Sequence, residues 1–440
     1  VFRSKKVEEL TVFWFRRDLR LDDNHGLHQA LKIGDEVLPV FIFDTDILAR
    51  FPDKSNRQAG FLIEAVNTLK LQLIALGSDL HVFYGSPMQI IADLVARFPV
   101  KRVFANEDYE PEAKRRDDEI ARMFREKTVD FQLFADQLVF NPGMVLKSDG
   151  TPYSVFTPFA NRWKQLLAAH SMPDFSIDEF VGNLSSQVQL EVFDFNRLGY
   201  RFDFANSIAF KVPEQTIIHY HDTRNFPALT DGTTHVGVHL RFGTISIRKL
   251  VIIAQQLNEQ FLNELIWREF FMHILFHFPH VVRGGFKKNY DRIEWRNNEA
   301  EFLRWCKGET GIPLVDAGIR ELNATGFMHN RVRMVVASFL TKHLLIDWRW
   351  GEAYFAQKLI DYELSSNNGN WQWAAGSGCD ATPYFRIFNP YRQQERFDPQ
   401  FEYIARWVPE YNTEAYKSLN QLDLALAKER CLIAYKRAIG

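Results

Sequence analysis

Trp371 and Trp373 stand one residue apart in the run Asn367-Asn368-Gly369-Asn370-Trp371-Gln372-Trp373, with Trp348 and Trp295 upstream. Positions i and i+2 do not share a helix face, so the two rings cannot both be ordinary core on one face. Tryptophan is large and is rarely fully buried without a partner for its indole N–H. Such a cluster suits two kinds of chemistry: gripping a flat ligand by stacking, or passing electrons between oxidisable rings. A tryptophan-rich corner of a core gives the same pattern, and the surrounding residues have to decide.

Four other groups stand out. Glu264, Trp267 and Arg268 fall at i, i+3 and i+4, which puts an acid, a large ring and a guanidinium on one helix face. A surface ion pair over a core tryptophan has the same spacing. Asn330, Arg333 and Met334 share another face, with Arg331 beside them. Asparagine is a poor helix former and wants a hydrogen-bond partner, either in a cap or in a buried network. His329 has no His, Cys or carboxylate at ligand spacing, so no metal site is expected. Asp231-Gly232-Thr233-Thr234-His235 follows Tyr220 and Arg224. Two hydroxyls after a glycine at a helix start offer an anion site, or an ordinary N-cap. Asp361 and Glu363 precede Asn367 and suit catalysis, an arginine partner or solvent.

These residues need elements to position them. Thr11–Phe15, Glu36–Phe43, Leu80–Phe83 and Lys101–Ala105 are short, nearly continuous apolar runs. Helical patterns at Gly60–Leu76, Pro87–Arg97 and Glu112–Arg125 separate or follow them. That alternation predicts an α/β domain over 1–135, a doubly wound parallel sheet covered on both faces. Such sheets bind ligands beyond the carboxyl ends of their strands, near Asp44, Tyr84, Asn106, Glu107, Tyr109 and Glu110. No GxGxxG and no Walker A motif is present, which removes dinucleotide and P-loop readings. Over 136–206 the periodicity weakens, turns appear at Asn141-Pro142-Gly143 and Asp149-Gly150, and a connector with a short helix near Pro158–His170 is expected. Over 207–440 the pattern is helical throughout, at Ile245–Leu257, Gln260–His277, Glu299–Lys307, Pro313–Thr325, His329–His343 and Trp350–Leu364. This predicts a large all-α domain.

The composition sets limits. A chain of 440 residues is too long for one core. With a net charge of −2, any nucleic-acid binding has to rest on a local basic patch. Cys306, Cys379 and Cys431 are far apart, so neither a disulfide framework nor a zinc site is expected. No apolar run is long enough for a transmembrane helix, and no signal-peptide pattern opens the chain, so a cytoplasmic protein is expected.

Taken together, the chain resembles the photolyase/cryptochrome family over nearly its full length. The resemblance rests on Trp14-Phe15-Arg16-Arg17-Asp18-Leu19-Arg20-Leu21-Asp22-Asp23-Asn24, on Glu264–Glu269, on Thr325–Met334, and most strongly on Asn367–Pro390. Within the family, Trp-Gln-Trp, Met-His-Asn-Arg and Tyr-Phe-Arg-Ile-Phe-Asn-Pro are similar to class I cyclobutane pyrimidine dimer photolyases. Six-four photolyases are expected to carry His-His where this chain has His329-Asn330, and cryptochrome-DASH proteins to lack the second tryptophan, here Trp373.

The resemblance implies FAD in the helical domain. Tyr220, Thr233 and Thr234, with backbone N–H groups of His235 and Val236, would hold its phosphates. Asn367 would face flavin N5, and Arg333 with Asp361 would form an ion pair beside the ring. Glu264, Arg268, Asn330 and Glu363 also fall in the implied cofactor set. Trp371, Trp348 and Trp295 match the family's chain of three electron carriers. A dimer flipped out of UV-damaged DNA would be walled by Trp267 and Trp373, hydrogen-bonded by Glu264 and completed by Asn330 and Met334. Arg224, Arg268, Arg331 and Arg386 would contact phosphates without reading sequence. The implied reaction is light-driven repair: an electron passes from excited reduced FAD to the dimer, the ring opens, and the electron returns. The chain departs from the family pattern at Gly237, usually serine, at Glu363, usually aspartate, and at Phe261, usually tryptophan. An antenna pigment, folate or deazaflavin, stays open; Asn106 and Glu110 lie near where a folate would be contacted. A monomer is expected. The alternatives are a six-four photolyase, a light-inactive flavoprotein, and a cryptochrome-type blue-light photoreceptor signalling through protein partners. Signalling members usually carry a long C-terminal extension, and the end at Gly440 is expected to weigh against that last reading.

Overall fold

The computed structural model describes residues 9–186, 188, 190–200, 210–420 and 422–440. The chain forms two compact units, one of Val1–Asn141, Leu167–Lys211 and Val236–Val251, the other of Pro142–Leu166, Val212–His235 and Ile252–Gly440.

The first unit is built on a five-stranded sheet, β1 Leu10–Phe15, β2 Glu36–Asp44, β3 His81–Gly85, β4 Val100–Asn106 and β5 Asp130–Phe134. All pairings are parallel and the order is β3-β2-β1-β4-β5. Every residue of β1 is buried, the consequence of a strand with helices on both faces. The fifth strand was not predicted. Its Asp130 and Gln132 are exposed and it lies at the sheet edge, where polar residues interrupt the apolar signal. The helices start where capping chemistry places them. Asn24 accepts from the Leu27 N–H ahead of His25–Lys32, Asn56 caps Arg57–Ala75, and proline opens both Pro87–Arg97 and Pro111–Lys127.

The strand order reverses between β1 and β4, the place where open α/β sheets bind ligands. Here that place is closed by the chain itself. Asn106 donates to Asp18 (2.6 Å) and to Asn24 (2.8 Å), and accepts from the Gly26 N–H (2.9 Å). Asn106 is therefore a buried structural residue, and its amide is committed inward rather than toward an antenna pigment. Glu110 is held by Arg17 (2.8 Å) and Arg241 (3.1 Å). A second buried network joins Arg20 and Arg248 to Asp136, both at 2.8 Å, with Arg248 also on Asp23 at 2.9 Å. Burial works against ionisation of Asp136, and the two guanidinium groups overcome it, holding its carboxyl below the usual range.

The second unit is helical. Glu259–His277, Glu299–Lys307, Pro313–Thr325, Asn330–Ser338, Trp348–Lys358, Leu364–Ala375 and Leu424–Ile439 are its longer helices, and Phe156–Ala169 begins within it. Two expectations are corrected. The single helix expected over Trp350–Leu364 is two helices, because Leu359 and Glu363 are extended and the chain turns at Asp361. The one expected over His329–His343 is an α-helix that passes at Phe339–His343 into a π turn, closed by Leu344 N–H on the Phe339 carbonyl. The apolar core of this unit contains Trp305, Trp348, Trp371 and Tyr403, with Trp295 and Trp373 packed at its margin.

Candidate functional site

A cavity of about 100 Å³ opens among Asn330–Ser338, Trp348–Lys358, Leu364–Ala375 and the bend between the last two. Asn330, Arg333 and Met334 form one wall, as their i, i+3, i+4 spacing requires. The bend contributes Asp361 and Glu363, and the third helix contributes Asn367, Trp371 and Trp373. Three motifs distant in sequence therefore meet in one place.

The walls are charged and paired. Arg333 Nη2 lies 2.9 Å from Asp361 Oδ2, and its Nε donates to the Met328 carbonyl at 2.6 Å. Arg268 Nε is 3.3 Å from Glu363 Oε2, both nearly buried. Asp361 Oδ1 is also buried, yet it accepts no hydrogen bond among the described residues. A buried acceptor without a donor costs free energy unless a ligand supplies one. Asn367 donates from Nδ2 to the carbonyl (3.1 Å) and carboxyl (2.9 Å) of Glu352. Burial pushes the Glu352 carboxyl up, with the Asn367 bond opposing. An open acceptor, a fixed carboxamide and two compensated cations suit a planar heterocycle with both N–H and carbonyl edges, which isoalloxazine has.

Why the two tryptophans diverge is set by the residue between them. Gln372 is buried and donates to the carbonyls of Val281 (2.9 Å) and Gly284 (3.2 Å), and it accepts from the Phe286 N–H (2.8 Å). That anchor turns Trp371 into the core, against Phe355 at 5.0 Å and Trp305 at 6.3 Å between ring centres. Trp373 stays half-buried on the cavity wall, with Phe388 at 6.4 Å. Trp348 is buried in the same cluster, and Arg349 lies over its ring at 4.9 Å. Trp295 sits at the margin with its ring on Tyr435 at 6.0 Å.

The cavity wall does not include Glu264, Trp267 or Tyr220. Glu264 is tied to Arg224 and accepts from Gln260 at 2.9 Å. Trp267 is stacked by Phe156, with ring centres 3.7 Å apart and planes within 4°. Asp380 fixes Phe156 by accepting its backbone N–H at 3.0 Å. Tyr220 packs edge-on to Phe261 at 5.2 Å, with Arg224 over its ring at 5.3 Å. Burial, then the Glu264 charge, pushes the Tyr220 hydroxyl well above its ordinary range, so it serves only as a neutral hydroxyl. Thr234 is buried and Thr233 half-buried; His235 has a left-handed φ of +52° and packs on Phe327 at 4.3 Å. Val236 opens the short Gly237–Phe242 helix of the first unit.

The four arginines differ. Arg224 and Arg268 are ion-paired, while Arg331 donates to Asn225 at 2.6 Å and lies over Phe397 at 4.4 Å. Arg386 is exposed and has no carboxylate partner among the described residues. His329 caps its helix by accepting the Arg331 N–H at 3.1 Å, and burial followed by the charges of Arg333 and Arg331 pushes it down to about 3. Among the described residues no cluster of His, Cys and carboxylates could hold a metal ion, and no helix is long and apolar enough to cross a membrane. Glu352 and Phe156 were not singled out from the sequence, and Gln372 and Asp380 stood there only within motifs, with no role of their own. Each acts through a partner more than ten residues away in the chain, and no local spacing announces that.

Residues 11–176 match the family described as DNA photolyase, and residues 261–436 match the FAD binding domain of DNA photolyase. The Escherichia coli protein named deoxyribodipyrimidine photo-lyase is 38% identical over 427 residues, covering 91% of this chain and 89% of its own. The Vibrio cholerae protein of the same name is 36% identical, with 94% and 92% covered. The crystal structure of a bacterial class III photolyase from Agrobacterium tumefaciens superposes with a TM-score of 0.84 at 31% identity, covering 99% of this chain and 98% of that one. With the α/β sheet, the helical unit and its paired cavity, these matches place the chain in the DNA photolyase family of FAD-dependent enzymes.

Proposed function

We propose that this protein repairs cyclobutane pyrimidine dimers in UV-damaged DNA, using light. One observation carries the reading: Asn330, Met334, Asn367, Trp371 and Trp373 share a single cavity with the Arg333–Asp361 pair. FAD, when bound, supplies the photochemistry by giving an electron on excitation and taking it back. The remaining work falls to this chain's own side chains. Asp361, Asn367 and the two ion pairs orient the ring and balance its charge. Tyr220, Thr233, Thr234 and the backbone of His235 and Val236 bind the phosphates. Trp295, then Trp348 and Trp371, relay electrons inward from the margin of the core.

Photolyases are among the enzymes that extrude the target nucleotide from the stack. Trp267 and Trp373 wall the extruded pair, and Glu264 bonds a pyrimidine edge. Arg224, Arg268, Arg331 and Arg386 bind phosphates, giving sequence-independent, salt-sensitive affinity. The preference for cyclobutane over six-four damage rests on Asn330, which lines the cavity while the neighbouring His329 is spent as a helix cap and kept neutral. We further propose division into domains at 1–135, 136–206 and 207–440, a monomer, and a cytoplasmic location.

The test is illumination of the reduced holoprotein with oligonucleotides carrying either lesion. Restoration of the cyclobutane substrate alone is expected. Restoration of the six-four substrate would assign the other specificity, and restoration of neither would favour signalling.

A further inference from the structure

Lys342 is fully buried in the π turn Phe339–His343, and no carboxylate pairs with it among the described residues. Its Nζ makes one hydrogen bond, to the backbone carbonyl of Arg386 at 3.0 Å. The groups around it are no substitute for an anion: Cys431 is a thiol, the adjacent His343 is itself held down by burial and by the charges of Lys342 and Arg430, and Arg430 donates to the His343 carbonyl at 2.6 Å. A buried cation without a counter-charge destabilises a fold, and an apolar side chain of the same length would sit there more comfortably. π turns concentrate at functional sites for a related reason: the irregular turn aims a side chain where a regular helix would not.

What Lys342 reaches is the segment between Cys379 and Pro390, which has no helix or strand of its own. The segment is held at four points. Asp380 caps Phe156, Tyr384 stacks on Tyr435 with ring centres 5.9 Å apart, the Arg386 N–H closes a turn on the Pro383 carbonyl at 2.9 Å, and Lys342 holds the Arg386 carbonyl from beneath. The Arg386 side chain itself is exposed.

We propose that Lys342 is a positioning residue for damage binding, fixing the backbone of Arg386 so that its guanidinium is presented to a DNA phosphate. The inference rests on Arg386 being a phosphate contact, as proposed above. Burial pulls the Lys342 ammonium down to about 8, the direction expected of a cation taken out of water without a counter-charge.

Lys342→Met removes the tether and the buried charge together. Affinity of the FAD-loaded variant for dimer-containing duplex is expected to fall ~10-fold, the worth of one hydrogen bond from a charged donor. Flavin content and photoreduction should be unchanged, and the thermal midpoint should hold or rise. A residue that merely stabilised the fold would lower the midpoint instead. Arg386→Ala should weaken binding to a similar degree, and the double variant should be no weaker than Arg386→Ala alone. Lys342→Gln, too short to keep the tether, is the second variant should methionine not fold, with the same loss expected. If Arg386→Ala leaves affinity intact, the phosphate contact is wrong and the proposal goes with it. If Arg386→Ala weakens binding while neither Lys342 variant does, or if the losses add, only the positioning role is overturned.

Discussion

At the scale of single residues, the site depends on what each side chain is held by. Trp371 is a wall of the cavity and also a core ring, so Trp371→Phe should keep the fold and lose photoreduction of the oxidised flavin. Repair by protein already reduced chemically should persist, since the dimer receives its electron without passing through that ring. Absorbance under blue light with an external reductant checks the first, and the oligonucleotide assay the second. Asp361→Asn leaves Arg333 without its carboxylate and turns an acceptor into a mixed group. Flavin retention should weaken by about 2 kcal/mol, roughly thirtyfold in Kd, read by fluorescence of released flavin. Phe156→Ala strips the stacked partner from Trp267. The pair is worth about 0.5–1.5 kcal/mol, so affinity for dimer-containing DNA should fall about two- to tenfold with flavin content unchanged. A gel-shift titration decides it, and unchanged affinity would mean that Trp267 needs no support.

At the scale of elements, the cavity exists because helices approach unusually closely. At Gly351 an added Cβ would lie 2.1 Å from the Trp371 ring, and at Gly369 one would lie 2.1 Å from Phe271. Both contacts are with rings wedged in a packed interior, so neither can yield cheaply. Gly369→Ala should push Leu364–Ala375 off Glu259–His277, destabilising the unit by about 1–3 kcal/mol and lowering flavin content as well. Denaturant unfolding and the flavin-to-protein absorbance ratio measure the two effects. The helix starts at Pro87 and Pro313 fall where the sequence put them, because a proline at the first helical position is local chemistry, whereas the helix behind the Asn24 cap was not expected and the one behind Asn56 begins at Arg57 rather than Gly60. The break at Leu359–Glu363 was not expected either. Nothing in those five residues forbids a helix, and the turn is fixed by Asp361 reaching Arg333 and Glu363 reaching Arg268.

At the scale of the whole molecule, buried histidines couple stability to pH. His239 and His343 are pushed down to about 4, His273 and His329 to about 3, in each case chiefly by burial. The unfolded chain binds these protons near pH 6.5, so between that value and the folded one the unfolded state holds more protons. The stability each neutral imidazole contributes is therefore complete above pH 6.5 and lost as pH falls. The buried Glu321 and Glu352 carboxyls, shifted upward by burial, act in the opposite sense. A difference measurement separates the two. The stability gap between wild type and His343→Gln should narrow by ~1.4 kcal/mol per pH unit from 6.5 to 4.5. A gap that stays constant over that range would mean the imidazole is charged in the fold.

The sequence by itself determined the type of most elements and the chemical cast: indoles, guanidinium groups and a carboxamide in recurring motifs. These follow from periodicity, capping and residue chemistry, which act over a few positions. Only the tertiary structure decided that Asn367 rests on Glu352, that Trp267 stacks on Phe156, that Asn106 turns inward, and that Lys342 lies under Arg386. Those partners are joined by packing and desolvation across distant segments, and a linear pattern carries no trace of which buried group will meet which.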